Sequence, residues 1–125
     1  MTMNSHKAGF EDLPLCNFNT LQALEAEVGS DVLPTLISSL CEEIEASLSN
    51  FKTYLNKNAW QSLEIEAHAL KSAALSFGAE RLSQICRKIE LSAKNKTGFQ
   101  DIEILINDFE HHAKDLLDKL KTLSE

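Results

Sequence analysis

The sequence predicts an all-α protein, an up-down-up-down four-helix bundle with a short additional helix at its N-terminal end. Only four glycines and two prolines occur among 125 residues, so few positions interrupt helices. Apolar residues recur at helical spacing in four long segments that are joined by short polar stretches. Consecutive amphipathic helices with short connections pack antiparallel around one core, and the chain length suits a single domain.

The chain begins with a segment that has no helical pattern. Residues 1–18 are largely polar, lack a hydrophobic period and contain Pro14, which predicts a flexible tail before a bundle domain at 19–125. Alternatively, the apolar residues Leu13, Leu15 and Phe18 lie against the bundle. A short helix follows, in which Thr20 can act as the N-cap and Gly29 as the C-terminal stop. Its apolar side carries Leu21, Leu24 and Val28.

Two long helices are predicted in the first two thirds of the chain. Either Ser30 or Asp31 can cap the first, which tolerates Pro34 in its first turn and ends at the polar residues 56–58. Its core positions are Leu33, Leu36, Ile37, Leu40, Ile44, Leu48, Phe51 and Leu55. The second runs from about residue 59 to residue 77, with Leu63, Ala67, Leu70, Ala74 and Phe77 inward. Glu66 conflicts with this pattern, because an ideal helical wheel places it on the core side.

Two further helices complete the predicted bundle. The third long helix spans about 79–95, where Glu80 in the first turn suits the positive end of the helix dipole. Residues 94–98 form a turn, and Asp101 opens the last helix. The inward positions are Leu82, Ile85, Cys86, Ile89 and Ala93, followed by Ile102, Leu105, Phe109, Leu116, Leu120 and Leu123.

Composition excludes several classes of protein. No apolar run approaches the roughly 18 residues that span a bilayer, and the first ten residues lack a signal-peptide core, so we expect a cytoplasmic protein. The net charge of −7 argues against nucleic acid as a partner, because a phosphate backbone attracts basic surfaces. Cys16, Cys41 and Cys86 are widely spaced without a CxxC motif, which predicts free thiols.

A lone histidine, His68, is predicted to point to solvent from the middle of the second long helix. It lies roughly 150° from the centre of the core face on a helical wheel. Lys71 and Ser72 follow it by one helical turn. Neutral imidazole is a nucleophile near neutral pH, an ammonium group can neutralise phosphoryl oxygens, and a small residue leaves room for an incoming group.

Apolar residues also lie on or near this exposed face. Ile65 and Leu75, together with Glu64 and Ser72, are predicted to form a docking face around His68. Glu64 can orient the imidazole ring. Gly78 is predicted to end the helix, because a C′ residue commonly takes a positive φ.

This segment resembles the histidine phosphotransfer (HPt) family of phosphorelay proteins. The family pattern is His-x-Leu-Lys, then small residues, then Gly-Ala about ten positions after the histidine. It is matched here by His68, Leu70, Lys71, Gly78 and Ala79. Ser72 departs from the glycine of many members but is still small. The run from Ala69 to Leu82 is most similar to the small stand-alone HPt proteins of vibrio-type quorum sensing.

The resemblance implies a phosphoryl carrier. His68, through Nε2, would accept the group from the aspartate of a receiver domain in a hybrid sensor kinase and pass it to the receiver of a response regulator. The receiver would supply Mg²⁺, and this chain would bind no cofactor itself. Because the sequence has no P-loop or other Gly-rich nucleotide segment, we expect no phosphorylation from ATP and therefore no enzyme activity of its own. One chain has enough helices to complete the bundle, so we expect a monomer.

Two other functions fit an all-helical chain. In the first, the protein is an interaction module without phosphotransfer, and His68 is incidental. The second is a metal-carboxylate bundle enzyme, for which His111, His112 and Asp108 are the nearest candidates. Adjacent histidines on a helix lie about 100° apart, and the Glu-x-x-His motifs of di-iron bundles do not occur, so no metal site is predicted.

Overall fold

A computed structural model describes residues 12–124 of the chain, and the secondary structure within that range is entirely helical. The helices are α1 (Phe18–Val28), α2 (Leu33–Asn56), α3 (Trp60–Ser76), α4 (Glu80–Asn95) and α5 (Phe99–Ser124). The predicted all-α fold is therefore confirmed. None of these helices combines the length and the apolar character that crossing a membrane requires.

The four long helices form a closed bundle. α2 packs against α3 and α5, and α4 packs against the same two helices from the opposite side. Because only residues 57–59, 77–79 and 96–98 connect them, successive helices run antiparallel, as predicted. α1 is the short extra helix and contacts α2. The core includes Phe51 and Phe109, whose rings meet edge to face with centroids 5.0 Å apart.

Several predicted helix ends are wrong in detail. Asn17, not Thr20, caps α1, and its side chain accepts hydrogen bonds from the backbone N–H groups of Asn19 and Thr20. At α2 the N-cap position is Val32, so neither Ser30 nor Asp31 caps the helix, although a proline does occupy its first turn as predicted. α5 begins at Phe99, two residues before Asp101, which lies in the first turn.

Most predicted core positions are buried, and the exceptions lie at helix edges and ends. The half-buried ones are Leu24, Val28, Leu33, Leu36, Leu48, Phe77 and Leu105. Leu123 is 43% exposed, so its assignment to the core is wrong. Conversely, Ile106 and Ala113 of α5 are buried and were not predicted.

Glu66 is accommodated by polar partners on the neighbouring helix. Its carboxylate accepts a hydrogen bond of 2.7 Å from the Ser47 hydroxyl and one of 3.2 Å from the Asn50 amide, both on α2. Burying a carboxylate is costly unless such bonds replace those to water. The helical wheel therefore placed Glu66 correctly on the side that faces α2.

The described part of the predicted tail packs against the bundle. Leu15 and Cys16 contact the hydrophobic core, whereas Phe18 is 60% exposed. Residues 1–11 lie outside the described residues, and the division into a tail at 1–18 and a domain at 19–125 stays a prediction. Cys41 and Cys86 are buried, Cys16 is half-buried, and all three are free thiols, as predicted.

Candidate functional site

α3 presents His68 to solvent because its opposite face is fixed in the core. Leu63, Ala67, Leu70 and Ala74 are all buried against the other helices. His68 lies on the outer surface, and its side chain is 62% exposed. The predicted orientation of the histidine is therefore what the structure shows.

A carboxylate from the neighbouring helix holds both His68 and Lys71. Oε2 of Glu90 on α4 lies 2.7 Å from Nδ1 of His68, and Oε1 of the same residue lies 2.8 Å from Nζ of Lys71. The side chains of Glu90 and Lys71 are 18% and 26% exposed, so this arrangement is partly shielded from water. The exposed imidazole is therefore held at one ring nitrogen by a charged group.

The contact with Glu90 determines which ring nitrogen is available for chemistry. A carboxylate accepts hydrogen bonds, so the contact favours the tautomer with the proton on Nδ1, and in that neutral tautomer Nε2 has the lone pair. Burial alone would raise the pKa of Glu90, but hydrogen bonds from Lys71 and His68 outweigh burial and lower that pKa. Glu90 is consequently an anion at neutral pH, and its charge is compensated by Lys71.

Glu90 was not predicted from the sequence, where Glu64 was the candidate to orient the ring. Glu64 is half-buried on α3, whereas the carboxylate in contact with the ring belongs to α4. One signal was present in the sequence. Gly78 turns the chain ten residues after His68 and twelve before Glu90, and positions at similar distances from the turn of an antiparallel hairpin lie side by side.

The remaining predicted residues surround the imidazole unevenly. Ile65 and Leu75 are 62% and 55% exposed, so both are apolar side chains open to a partner. Leu75 and Ser72 line a shallow groove that begins at Lys71 and continues over α4, whereas Ile65 and Glu64 lie outside it. Of the four residues of the predicted docking face, Ser72 and Leu75 therefore form one continuous surface with α4, whereas Glu64 and Ile65 lie apart from it.

Gly78 follows the C-terminal end of α3, the helix that carries His68, and its carbonyl also holds the segment before α1. Its φ is +80°, which confirms the predicted left-handed turn after α3. Its carbonyl accepts a 2.7 Å hydrogen bond from the backbone N–H of Asn17. The residue thus connects the end of α3 to the start of α1.

A second group of polar side chains occurs on α5, away from His68. His111 is exposed and His112 is buried. Possible ligand atoms of these two residues and of Asp115 lie within 4.8 Å of one another. Adjacent histidines can therefore bring ligand atoms together although they lie about 100° apart on the helix, and the absence of a metal stays a prediction.

A helical bundle that presents an imidazole beside a lysine is the arrangement expected of a histidine phosphotransfer protein. The family model described as Hpt domain matches residues 35–123, and the chain belongs to this family. It is an intermediate of a phosphorelay, in which Hpt domains exchange phosphoryl groups with receiver domains.

The relatives with established names agree with this assignment. The chain is 33% identical over 78 residues to phosphorelay protein LuxU of Vibrio harveyi, a match that covers 62% of this chain and 68% of that protein. It is 30% identical over 96 residues to phosphorelay protein LuxU of Vibrio vulnificus strain YJ016, a match covering 75% and 82% of the two chains.

Solved structures show the same architecture. The fold superposes on histidine-containing phosphotransfer protein B of Pseudomonas aeruginosa PAO1 with a TM-score of 0.84 and 25% identity, over 89% of this chain and 95% of that one. It also matches the Hpt domain of a sensor hybrid histidine kinase from Shewanella, with a TM-score of 0.73 and 18% identity over 87% and 92% of the chains. The second likeness shows the fold alone.

Replacing Glu90 with glutamine is expected to slow phosphoryl acceptance and to alter the tautomer of His68. The amide removes the negative charge that favours a proton on Nδ1, so ring ¹⁵N shifts should report more of the form protonated at Nε2. Glu110→Gln is the matched control, because Glu110 is likewise paired with a lysine, Lys52, at 3.2 Å but lies on α5. Unchanged ring shifts in Glu90→Gln would contradict the assigned role.

The same variant should show a defined pH dependence of stability. Because the pKa of Glu90 is lowered on folding, the stabilisation is complete above the pKa of an unfolded glutamate. It is lost as the pH falls through the lower pKa of the folded state. The difference in unfolding free energy between wild type and Glu90→Gln should therefore narrow in acid, as urea titrations at several pH values would measure.

Proposed function

We propose that His68 is the phosphoacceptor of this phosphorelay protein. Nε2 of His68 attacks the phosphorus of an aspartyl phosphate in a receiver domain of a hybrid sensor kinase. The N–P bond forms while the O–P bond to the aspartate breaks, and the carboxylate of the receiver leaves. The reverse chemistry delivers the group to the aspartate of a response regulator. The observation that carries this proposal is the 2.7 Å contact between Nδ1 and Glu90, which leaves Nε2 free on the exposed face.

Glu90 and Lys71 support the transfer in different ways. Positive charge develops on the ring as Nε2 bonds to phosphorus, and the Glu90 anion beside Nδ1 stabilises it. Lys71 lies one helical turn from His68 and can turn its ammonium from Glu90 toward the phosphoryl oxygens. The pair thus supplies charges of both signs where the transfer needs them.

The proposal includes a division of roles between the partners. The receiver domain supplies the Mg²⁺, as the resemblance to HPt phosphorelays implies. On this chain, the carboxylate in contact with His68 is paired with Lys71. The chain acts as a monomeric carrier in the cytoplasm, where the ATP that feeds a phosphorelay is found. We infer no autokinase activity, because the sequence contains no P-loop.

The experiment that tests the proposal is transfer from a labelled receiver. The purified chain is mixed with ³²P-labelled receiver domain and Mg²⁺, and separately with labelled ATP alone. Acid-labile, alkali-stable label is expected from the receiver and none from ATP. A folded chain that gains no label from any receiver, yet binds one, would instead indicate an interaction module without phosphotransfer.

Lys71→Ala is expected to slow transfer by about tenfold or more, because one cationic partner of the phosphoryl group is lost. Folding should change little, since the side chain is partly exposed. Lys52→Ala is the matched control, because Lys52 also pairs with a glutamate but lies on α2, and its side chain is 49% exposed. Single-turnover rates from a labelled receiver measure the effect. Equal rates for the two variants would show that Lys71 has no role in transfer.

A further inference from the structure

Hydrogen bonds to the backbone of the segment before α1 hold it against the hairpin formed by α3 and α4. The Arg81 guanidinium Nε donates to the carbonyl of Leu13 at 3.1 Å, and the Arg81 backbone N–H donates to the carbonyl of Pro14 at 3.1 Å. The N–H of Asn17 donates to the carbonyl of Gly78 at 2.7 Å. These bonds fix residues 13–17 against the turn between α3 and α4, and therefore close to the helix that carries His68.

This position makes Leu13 part of the surface beside the phosphorylation site. Leu13 lines the same groove as Lys71, Ser72 and Leu75, and the opposite wall is formed by residues of α4 that include Arg87. A receiver that brings its aspartate to Nε2 of His68 must cover Lys71 and Ser72. It must then also lie over the start of this groove.

The chemistry of the groove indicates what it contacts on the receiver. Leu75 is 55% exposed and Leu13 is half-buried, so together they offer an apolar strip. Arg87 is exposed and forms no ion pair with any residue in the described range 12–124. Glu80, the acidic residue of the groove lining, accepts a 2.7 Å hydrogen bond from the Asn17 amide. The groove therefore suits an apolar side chain that is flanked by a carboxylate near Arg87.

We propose that residues 13–17 form one wall of the receiver docking surface, and that Leu13 and Arg87 contact the receiver during transfer. This inference rests on the proposed role of His68. Leu13 packs with Leu75 against an apolar residue of the receiver, and Arg87 pairs with an acidic residue next to it. The segment that the sequence assigned to a flexible tail is thus a recognition element that helps to select the partner.

The test compares receiver binding with chemical phosphorylation. Leu13→Asp and Arg87→Glu are titrated with the receiver domains of hybrid sensor kinases from the source organism, and each variant is also treated with phosphoramidate. This small donor reaches His68 without docking. Both variants should bind a receiver about tenfold more weakly or worse, and should accept label from phosphoramidate at the wild-type rate.

Matched controls separate docking from a general effect of the new charges. Ile104→Asp places the same charge at an apolar residue that is 61% exposed on α5, and Lys94→Glu reverses an exposed charge on α4. Both controls should bind receivers as the wild type does.

Each other outcome has a distinct meaning. Wild-type receiver affinity in Leu13→Asp and Arg87→Glu would overturn the docking wall. If these variants instead lose phosphoramidate labelling as much as they lose receiver binding, the defect lies at His68 itself and the docking wall is again overturned. A wild-type chain that binds a receiver but never accepts its label would overturn the proposed function alone. Failure of every receiver to bind the wild type would overturn both.

Discussion

Replacing His68 with alanine is expected to abolish phosphoryl acceptance while leaving the helical fold intact. The side chain is 62% exposed and contributes no packing to the core, so its loss removes the nucleophile and little else. The change also deprives Glu90 of one hydrogen-bond partner, but Lys71 still compensates its charge at 2.8 Å. We expect wild-type helicity by circular dichroism and no acid-labile label from a phosphorylated receiver.

The sharpest control for this variant is His111→Ala. His111 is also an exposed histidine on a long helix, but it lies on α5, which packs against α2 and α4 rather than against α3. It should accept label at the wild-type rate. Label that persists in His68→Ala and disappears in His111→Ala would place the phosphoacceptor on α5. Receiver binding that survives in His68→Ala would show that the mutation removes the chemistry and not the docking surface.

The fold could be predicted from the sequence because its main determinant is the hydrophobic period. Core residues such as Ile44 and Ile89 recur every three or four positions, and this spacing depends only on helix geometry. Helix ends depend on single hydrogen bonds, which compete with one another. Thr20 and Asn17 are both acceptable caps in sequence, and only the position of the chain against α4 decides between them.

The site was predictable only where one helix supplies it. Lys71 and Ser72 follow His68 within one helical turn, so a helical wheel is enough to bring them together. Glu90 comes from another helix, and its contact with His68 depends on the register of α3 against α4. The same limit explains Leu13, whose place in the groove follows from hydrogen bonds to Arg81 that no local pattern encodes.

Exchanging Gly78 for alanine is expected to destabilise the protein by about 2–4 kcal/mol. The φ of +80° disfavours any residue with a Cβ atom. A Cβ at this position would also lie 2.7 Å from the backbone carbonyl oxygen of Asn17 and 3.0 Å from Cβ of Thr20. Backbone atoms cannot turn aside as the end of a flexible side chain can, so the segment before α1 would have to move. Urea unfolding of wild type and variant would measure the cost.

Gly98→Ala separates the two causes of this destabilisation. Gly98 also has a positive φ, of +126°, but an added Cβ there meets no atom within 4 Å. It lies in the turn between α4 and α5, so Gly98→Ala should introduce backbone strain alone and lower the free energy of unfolding by less than Gly78→Ala does.

The steric effect at Gly78 displaces the carbonyl of Asn17 and with it the wall that Leu13 belongs to. Gly78→Ala should therefore also weaken receiver binding while phosphoramidate still labels His68, provided that the assay is run where the variant is folded. An equal cost for both glycine variants, with receiver binding intact, would show that the segment before α1 yields freely and is not held by Gly78.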